Sequence, residues 1–161
     1  MEQFDIAICG FGPVGSTFAG LMGKLGHRVL VIEKNSGPSP TARAINTDGE
    51  QLRTFDRLNI AEKVVENSTE VHRVHFGDAD LNPIQTIDQP VGVSSMGWPT
   101  QVLFYQPELE GFIRSAVAKD SNITLKEDTE LIDFEDTEEG VSLKCVSSDS
   151  EIQYRAKFLI G

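Results

Sequence analysis

Two short runs of consecutive apolar residues lie near the start of the chain, at residues 6–9 and 29–32. Uninterrupted apolar runs of this length are typical of parallel strands that are buried on both faces. Between the runs, apolar residues recur at helical spacing, and Gly26 stands where that helix would end. The apolar positions of this segment are Val14, Phe18, Leu21, Met22 and Leu25. The pattern therefore predicts a strand, a helix and a second strand.

The pattern changes twice in the middle of the chain. Residues 34–40 are rich in Gly, Pro, Ser and Asn and predict a loop. Spaced apolar residues from 52 to 65 predict one or two short helices, broken near Asn59. Residues 71–105 alternate between apolar and polar and contain several prolines, which predicts strands and loops of a second sheet.

The last third of the chain predicts a helix followed by an antiparallel meander. Pro107 stands at the start of a helix that extends to about residue 119. In a nicotinamide dehydrogenase, further helices and parallel strands usually follow the second strand, so a crossover meander fits the flavin-binding variant of the α/β fold better. The alternating or apolar segments of the meander are residues 131–134, 141–145, 152–154 and 158–160.

Glycines at a fixed spacing occupy the turn between the first strand and the helix. Gly10, Gly12 and Gly15 form the pattern G-x-G-x-x-G, in which the first glycine allows a tight turn and the second leaves room for a pyrophosphate. The third allows the helix to pack close to the strand. Pro13 fits the first helical turn, and Val14 follows it at the helix N-terminus, where free N–H groups and the helix dipole attract phosphate. This context predicts a dinucleotide site.

An acidic residue follows the second strand. Glu33, with Lys34 after it, stands where a carboxylate accepts hydrogen bonds from the adenosine ribose hydroxyls. A carboxylate repels a 2′-phosphate, so we expect the site to take FAD or NAD and to refuse NADP. Glu33 and Lys34 therefore join the predicted cofactor-binding residues.

Composition and charge restrict the kind of protein. The 161 residues are 39% hydrophobic and carry a net charge of −11, which argues against nucleic acid or an anionic membrane as a partner. Residues 127–139 hold eight acids and no base, which predicts a solvated hairpin. There is no apolar run of membrane-spanning length and no signal-peptide pattern in the first residues, so we expect a cytoplasmic protein. Cys9 and Cys145 lack a C-x-x-C partner and are predicted to be reduced thiols.

No side chain has a spacing that calls for acid–base or nucleophilic chemistry, so we predict no catalytic residue. His27, His72 and His75 are not arranged as a metal site, because residues 72 and 75 would face opposite sides of a strand. We therefore predict no metal site. We expect Trp98 to pack between sheets, the alternative being a residue that stacks on a substrate.

Four segments together resemble the N-terminal part of the group A flavoprotein monooxygenases, the para-hydroxybenzoate hydroxylase-like family. The likeness is greatest to the branch of 3-(3-hydroxyphenyl)propionate hydroxylase and polyketide hydroxylases, and it spans essentially the whole chain. The segment at residues 106–109 is the most particular to the family. The four segments are the glycine pattern with Glu33, residues 42–44, residues 48–50 with Arg53, and residues 97–99 with 104–109.

The resemblance implies an α/β fold: a Rossmann-like FAD-binding domain of the glutathione-reductase type with a β-meander crossover, plus part of a second β-sheet. It places residues 1–70 and 102–161 in a discontinuous FAD-binding domain that is truncated at its C-terminal end. Residues 71–101 would be an incomplete portion of the substrate-domain sheet. Family members continue into an Asp-Gly motif and a later Gly-Asp motif, so we expect this chain to be part of a longer protein.

The resemblance also implies roles for three further residues. Arg43 matches an arginine that reaches the FAD pyrophosphate and ribityl side, and Gln106 matches a glutamine that contacts the chain linking the flavin. Leu131 stands where the backbone meets the adenine. The alternatives are that Arg43 is a surface loop residue, that Gln106 caps its helix, and that Leu131 is ordinary strand core.

The implied function is the FAD-binding portion of an enzyme that hydroxylates a phenolic substrate with O₂ and NADPH or NADH. The alternatives are another FAD-dependent oxidoreductase of the same fold and a non-catalytic nucleotide-binding fragment. We expect the 161-residue chain alone to be inactive. We also expect it to self-associate through apolar side chains of the second sheet, namely Val74, Phe76, Val93 and Trp98.

Overall fold

The computed structural model of the chain describes residues 2–148 and 150–161, a mixture of helices and strands. In chain order the elements are β1 (Gln3–Cys9), α1 (Pro13–Lys24), β2 (Val29–Ile32), β3 (Asn46–Asp48), α2 (Gly49–Arg57), α3 (Ala61–Glu66), β4 (Thr69–Glu70), β5 (Arg73–Gly77), β6 (Pro83–Asp88), β7 (Gln101–Leu103), α4 (Gln106–Val117), β8 (Ile123–Lys126), β9 (Glu130–Thr137), β10 (Gly140–Ser147) and β11 (Ser150–Ile160).

The chain divides into two compact units. One comprises Met1–Pro40 and Glu110–Gly161, and the other comprises Thr41–Leu109. The first unit is therefore built from both ends of the sequence. The predicted assignment of residues 71–101 to a substrate domain stays a prediction.

A six-stranded mixed sheet forms the frame of the first unit, in the order β8-β2-β1-β11-β10-β9. Strand β1 pairs in parallel with both β2 and β11, and β2 pairs in parallel with β8. All four residues of β2 are buried, as the uninterrupted apolar run predicts for a strand covered on both faces. The parallel strand–helix–strand start of the chain is confirmed.

The last three strands form the predicted antiparallel meander. Strand β10 pairs with β9 on one side and with β11 on the other. Side chains from the meander and from the parallel strands share one buried cluster, so the meander contributes to the same core as β1 and β2. The cluster consists of Phe4, Ala7, Leu30, Ile32, Leu143, Cys145, Tyr154 and Ala156.

Helix α1 is present as predicted, but its fully buried residues are not the large apolar residues from which it was predicted. Val14 is 83% exposed and Leu25 is 69% exposed. The buried face consists of small side chains because the helix lies very close to its neighbours: a Cβ added at Gly23 would come within 2.7 Å of Ile123. Gly26 follows the helix at φ +86°, which confirms its predicted place at the helix end. The buried positions are Ser16, Thr17, Ala19, Gly20 and Gly23.

Two features of the first unit differ from the prediction. Strand β8 was not predicted, because residues 123–126 hold only two apolar side chains and all four residues are half-buried. The separate runs at 152–154 and 158–160 are one strand, β11, which pairs with β10 through its first part and with β1 through its last part. The polar residues that interrupt the apolar pattern there do not interrupt the backbone pairing.

The second unit contains the predicted pair of short helices. Helices α2 and α3 are separated by Asn59, which has φ 58°. Asp48 caps α2 by accepting a hydrogen bond from the Gln51 N–H at 2.8 Å. Leu52, Phe55 and Val64 are buried, as their helical spacing predicts.

The strands of the second unit form two small sheets, whereas a single second sheet was predicted. One has the order β3-β7-β4, and the other is the hairpin of β5 and β6. Strand β3 was not predicted because its residues, Asn-Thr-Asp, are all polar. Every residue of β6 is exposed, which leaves Ile84 and Ile87 with much of their surface in solvent.

Helix α4 begins at Gln106 and ends at Val117, close to the predicted bounds. Its buried apolar residues, Leu109, Ile113 and Val117, belong to the predicted apolar face. No helix in the described part of the chain is long and apolar enough to cross a membrane.

The two cysteines are both free thiols. Cys9, predicted to lie in a buried strand, is exposed because it is the last residue of β1, and Cys145 is buried in β10. Burial raises the pKa of the Cys145 thiol to about 11. Asp149, between the predicted segments 141–145 and 152–154, lies outside the described residues.

Candidate functional site

The turn after β1 has the geometry that the glycine pattern predicts. Gly10 has φ +104°, a conformation that side chains strongly disfavour. A Cβ at Gly15 would lie 2.2 Å from the Gly10 carbonyl oxygen, so this position has room only for hydrogen. Gly10 and Gly15 thus fix the tight turn and the close approach of α1 to β1.

Gly12 differs from the other two glycines. A Cβ built on Gly12 would meet nothing within 4 Å, and its φ of −71° is ordinary. The space that a side chain would occupy at this residue is therefore open.

The N-terminus of α1 faces this open space without a side-chain cap. Gly12 is the N-cap residue and Pro13 stands in the first turn. The first intrahelical hydrogen bond at this end runs from the Ser16 N–H to the Gly12 carbonyl at 2.9 Å. An uncapped helix start offers backbone N–H groups and the positive end of the helix dipole to an anion.

Glu33 follows β2 at the same end of the parallel strands as this turn. Its Oε2 accepts a hydrogen bond from the Phe11 N–H at 2.8 Å, which ties it to the glycine turn. Its Oε1 accepts from the Asn35 N–H at 2.8 Å and from the Asn35 side-chain amide at 3.0 Å. The carboxylate is therefore held in place before any ligand arrives.

The pKa of Glu33 is lower than its ordinary value of 4.5. Partial burial raises it, but the hydrogen bonds from Phe11 and Asn35, together with the positive charge of Arg114, outweigh that effect. Glu33 is thus an ionised acceptor at neutral pH. Lys34, the next residue, is exposed.

Leu131 lies in β9, close in sequence to a backbone contact with Glu33. The Thr129 N–H donates to the Glu33 carbonyl at 3.0 Å, and Leu131 follows two residues later. Its side chain packs against the buried cluster of the first unit. The structure thus agrees with the core alternative for the side chain, and the adenine contact of its backbone stays a prediction.

Arg43 and Gln106 both belong to the second unit. The Gln106 Oε1 accepts hydrogen bonds from the Arg43 N–H at 2.6 Å and from the Ala44 N–H at 2.8 Å. Gln106 is only 5% exposed, whereas Arg43 is exposed. The two predicted residues are therefore brought together, with the glutamine holding the backbone of the loop that carries the arginine.

A cluster of side chains around Arg114 lies beside Glu33 and was not predicted from the sequence. Arg114 of α4 lies with its guanidinium carbon 4.7 Å from the centre of the Phe11 ring and forms an ion pair with Glu127 at 2.6 Å. Its Nη2 also donates to the Gly37 carbonyl at 2.7 Å. No signal in the sequence singles out this arginine, because its partners are far from it along the chain.

The residues of the first unit fit the adenosine and pyrophosphate part of a dinucleotide. The open space over Gly12 and the uncapped helix start suit two phosphates, and the fixed carboxylate of Glu33 suits ribose hydroxyl groups. In the described part of the chain, no cluster of His, Cys, Asp and Glu is arranged to hold a metal ion.

Comparison with protein families gives a match over nearly the whole chain. A family model described as "FAD binding domain" matches residues 3–161. A 3-(3-hydroxy-phenyl)propionate/3-hydroxycinnamic acid hydroxylase of Mycobacterium sp. (strain JLS) is 26% identical over 157 residues, which are 98% of this chain and 27% of that protein. A probable NADH-specific resorcinol 4-hydroxylase of Rhodococcus jostii is 30% identical over 165 residues, 99% of this chain and 30% of that protein. The chain thus spans less than a third of the length of these relatives.

Solved structures share the fold. The crystal structure of a p-nitrophenol 4-monooxygenase from Pseudomonas putida superimposes with a TM-score of 0.88 at 22% identity. The match covers 99% of this chain and 40% of that one. The predicted α/β fold with its crossover meander is therefore confirmed.

Proposed function

We propose that this chain, which belongs to the FAD binding domain family, is the FAD-binding portion of a flavoprotein monooxygenase that acts on a phenolic ring. The observation that carries the proposal is the hydrogen bond from Phe11 N–H to Glu33 Oε2. It connects the glycine turn proposed to bind phosphate with the carboxylate proposed to bind ribose. That arrangement suits the adenosine half of FAD.

In this proposal the backbone from Gly10 to Gly15, including Pro13 and Val14, binds the pyrophosphate, and Glu33 accepts from the ribose hydroxyl groups. Lys34 contributes positive charge beside them. Arg43 and Gln106 act toward the flavin side, and the backbone of Leu131 contacts the adenine. The support for the first group is the geometry of the turn, and the support for the second is the family resemblance.

The reaction of the whole protein is also a proposal. Two relatives bear the names of hydroxylases that act on hydroxylated aromatic rings, and one of them is named as NADH-specific. Aromatic hydroxylation of this kind draws its redox chemistry from the bound flavin, with NADPH or NADH as the reductant and O₂ as the oxygen source. The protein positions the flavin and the ring and keeps water away. A cytoplasmic location stays a prediction.

A titration of the purified chain tests the proposed cofactor. FAD is added while its fluorescence is followed, and ADP and NADP⁺ are then added as competitors. We expect saturable FAD binding, displacement by ADP, and much weaker competition by NADP⁺, because the Glu33 carboxylate repels a 2′-phosphate. Flavin fluorescence that never changes, with no heat of ADP binding by calorimetry, would overturn the proposal.

A further inference from the structure

Arg114 joins the two segments that hold Glu33 in place. On one side its guanidinium stacks over the ring of Phe11, whose own N–H donates to the Glu33 carboxylate. On the other side it donates to the carbonyl of Gly37, two residues beyond the Asn35 that also donates to Glu33. The contacts therefore form a closed ring that begins and ends at Arg114.

Glu127 reinforces this ring of contacts at Arg114 and Gly37. Its Oε1 accepts from Arg114 Nη1 at 2.6 Å and from the Gly37 N–H at 2.9 Å. Gly37 is therefore held at both its N–H and its carbonyl, by Glu127 and by Arg114 respectively. Glu110, one turn before Arg114 on α4, accepts from the Ser39 N–H at 3.0 Å. Three charged side chains thus bind the backbone of the loop at residues 37–39.

The burial of the Arg114–Glu127 ion pair carries a desolvation cost. The Arg114 side chain is only 16% exposed, and that of Glu127 is 33% exposed. Charged groups removed from water contribute little net stability on average, since desolvation offsets their attraction. Stability alone is therefore a weak reason for an arginine here, whereas a fixed geometry around Glu33 is a specific one.

We propose that Arg114 is a positioning residue for Glu33, holding Phe11 and the loop at residues 34–39 so that the carboxylate keeps the orientation that binds the adenosine ribose. This inference rests on the proposed function, because it assigns Arg114 to the same dinucleotide site. Arg114 acts through Phe11 and Gly37 and needs no contact with the ligand itself.

A double-mutant cycle separates this role from a merely structural one. The dissociation constants of FAD and of ADP are measured for the parent chain, Arg114→Met, Glu33→Gln and the double variant. We expect Arg114→Met to weaken both ligands by about ten-fold in the parent background. In the Glu33→Gln background we expect a further loss of less than about two-fold, since the carboxylate that Arg114 positions is gone.

Arg28→Met is the matched control. Arg28 also stacks over a buried phenylalanine, at 5.4 Å from the Phe4 ring, and also pairs with a glutamate, Glu2 at 3.6 Å. Arg28 precedes β2, whereas Glu33 follows β2, so the two residues stand at opposite ends of that strand. We expect this variant to bind FAD and ADP like the parent chain, even if its melting temperature falls.

Each outcome decides between the hypotheses. Equal losses of affinity in the two Glu33 backgrounds, or no loss at all, would overturn the positioning role while leaving the proposed function intact. A parent chain that binds neither FAD nor ADP would overturn both. If circular dichroism shows that Arg114→Met does not fold, the same cycle is run with Arg114→Lys, which keeps the charge but cannot contact Phe11, Gly37 and Glu127 together.

Discussion

Gly12 and Gly15 belong to the same motif, yet only Gly15 is required by the fold itself. At Gly15 an added Cβ would meet the Gly10 carbonyl oxygen at 2.2 Å, so the constraint is internal to the fold. At Gly12 an added Cβ would meet no protein atom within 4 Å. The fold therefore tolerates a side chain there, and only a ligand would collide with it.

Alanine at each position should separate these two constraints. We expect Gly12→Ala to lose dinucleotide binding while its free energy of unfolding stays within about 0.5 kcal/mol of the parent. We expect Gly15→Ala to lose about 1–3 kcal/mol of stability through overpacking. Urea unfolding of both variants measures the free energy of unfolding, and titration with FAD measures the affinity for the dinucleotide. A Gly12→Ala chain with full FAD affinity would contradict the phosphate-binding role of the turn.

Glu33 should make the stability of the chain depend on pH. Its pKa is below 4.5 in the folded state and near 4.5 in the unfolded state, so its hydrogen bonds stabilise the fold fully above about pH 5. This contribution is lost as the pH falls through the folded-state pKa. We expect the difference in melting temperature between the parent and Glu33→Gln to be constant from about pH 8 to pH 6 and to shrink below about pH 5. A difference that grows on acidification would contradict the assignment.

Some site residues are visible in the sequence and others are not, for a physical reason. The glycine turn and Glu33 are local features, since each role depends on the position of the residue relative to one strand end. Arg114 contacts Gly37, a residue 77 positions earlier, through the packing of a helix whose charged residues look ordinary. Local pattern carries no information about such a contact.

At the scale of elements, prediction succeeded where an apolar pattern coincided with burial. Strands β1 and β2 and helix α4 were found because their core positions are apolar. Strand β3 consists of polar residues and exists because β7 pairs with it, in the register Asn46 with Leu103 and Asp48 with Gln101. The buried face of α1 was not predicted, because the close packing of this helix favours small side chains over large apolar ones.

Gln106 is the first residue of α4 and holds the backbone of Arg43 and Ala44, so its replacement should loosen that loop. Gln106→Leu removes the acceptor of the Arg43 and Ala44 N–H groups, which should cost about 1–3 kcal/mol for the two hydrogen bonds. Amide hydrogen exchange at these two residues should become faster. Gln106→Glu is the control, because a carboxylate oxygen keeps the acceptor. Unchanged exchange in Gln106→Leu would show that the loop is held by other contacts.

At the scale of the whole molecule, we expect the 161-residue chain to bind FAD weakly and to hydroxylate nothing. It spans 27% and 30% of the two relatives described above, so most of their length has no counterpart in it. The measurement is oxidation of NADH and of NADPH by the chain with FAD and resorcinol, against a reaction with free FAD alone. Oxidation that rises with both the chain and resorcinol would contradict this expectation.

The exposed apolar side chains of the second unit should cause self-association. Of the four residues named from the sequence, Phe76 and Val93 are exposed, and Val74 and Trp98 are half-buried. Ile84, in β6 of the same hairpin as Phe76, is also 72% exposed. We expect concentration-dependent oligomers in sedimentation velocity, reduced by Phe76→Ser with Ile84→Thr.

The control for this surface is Ile132→Thr, at an exposed residue of β9 in the first unit. It removes a comparable apolar side chain outside the β5–β6 hairpin and should leave the oligomers unchanged. A strictly monomeric parent chain at all concentrations would contradict the prediction.

The pairing of β1 with β11 has a consequence for the order in which the protein is made. Gln3 lies beside Arg155 and Ile8 beside Ile160, so the two strands are roughly 150 positions apart in the chain. During synthesis, β1 is made before the other elements described above, and its neighbour β11 is made after all of them. Contacts this distant form slowly, and in the meantime β1 can pair with β2 on one edge while its other edge, the one that β11 covers, stays open to aggregation. The sheet of the first unit should therefore be completed only after residues 150–160 have been made.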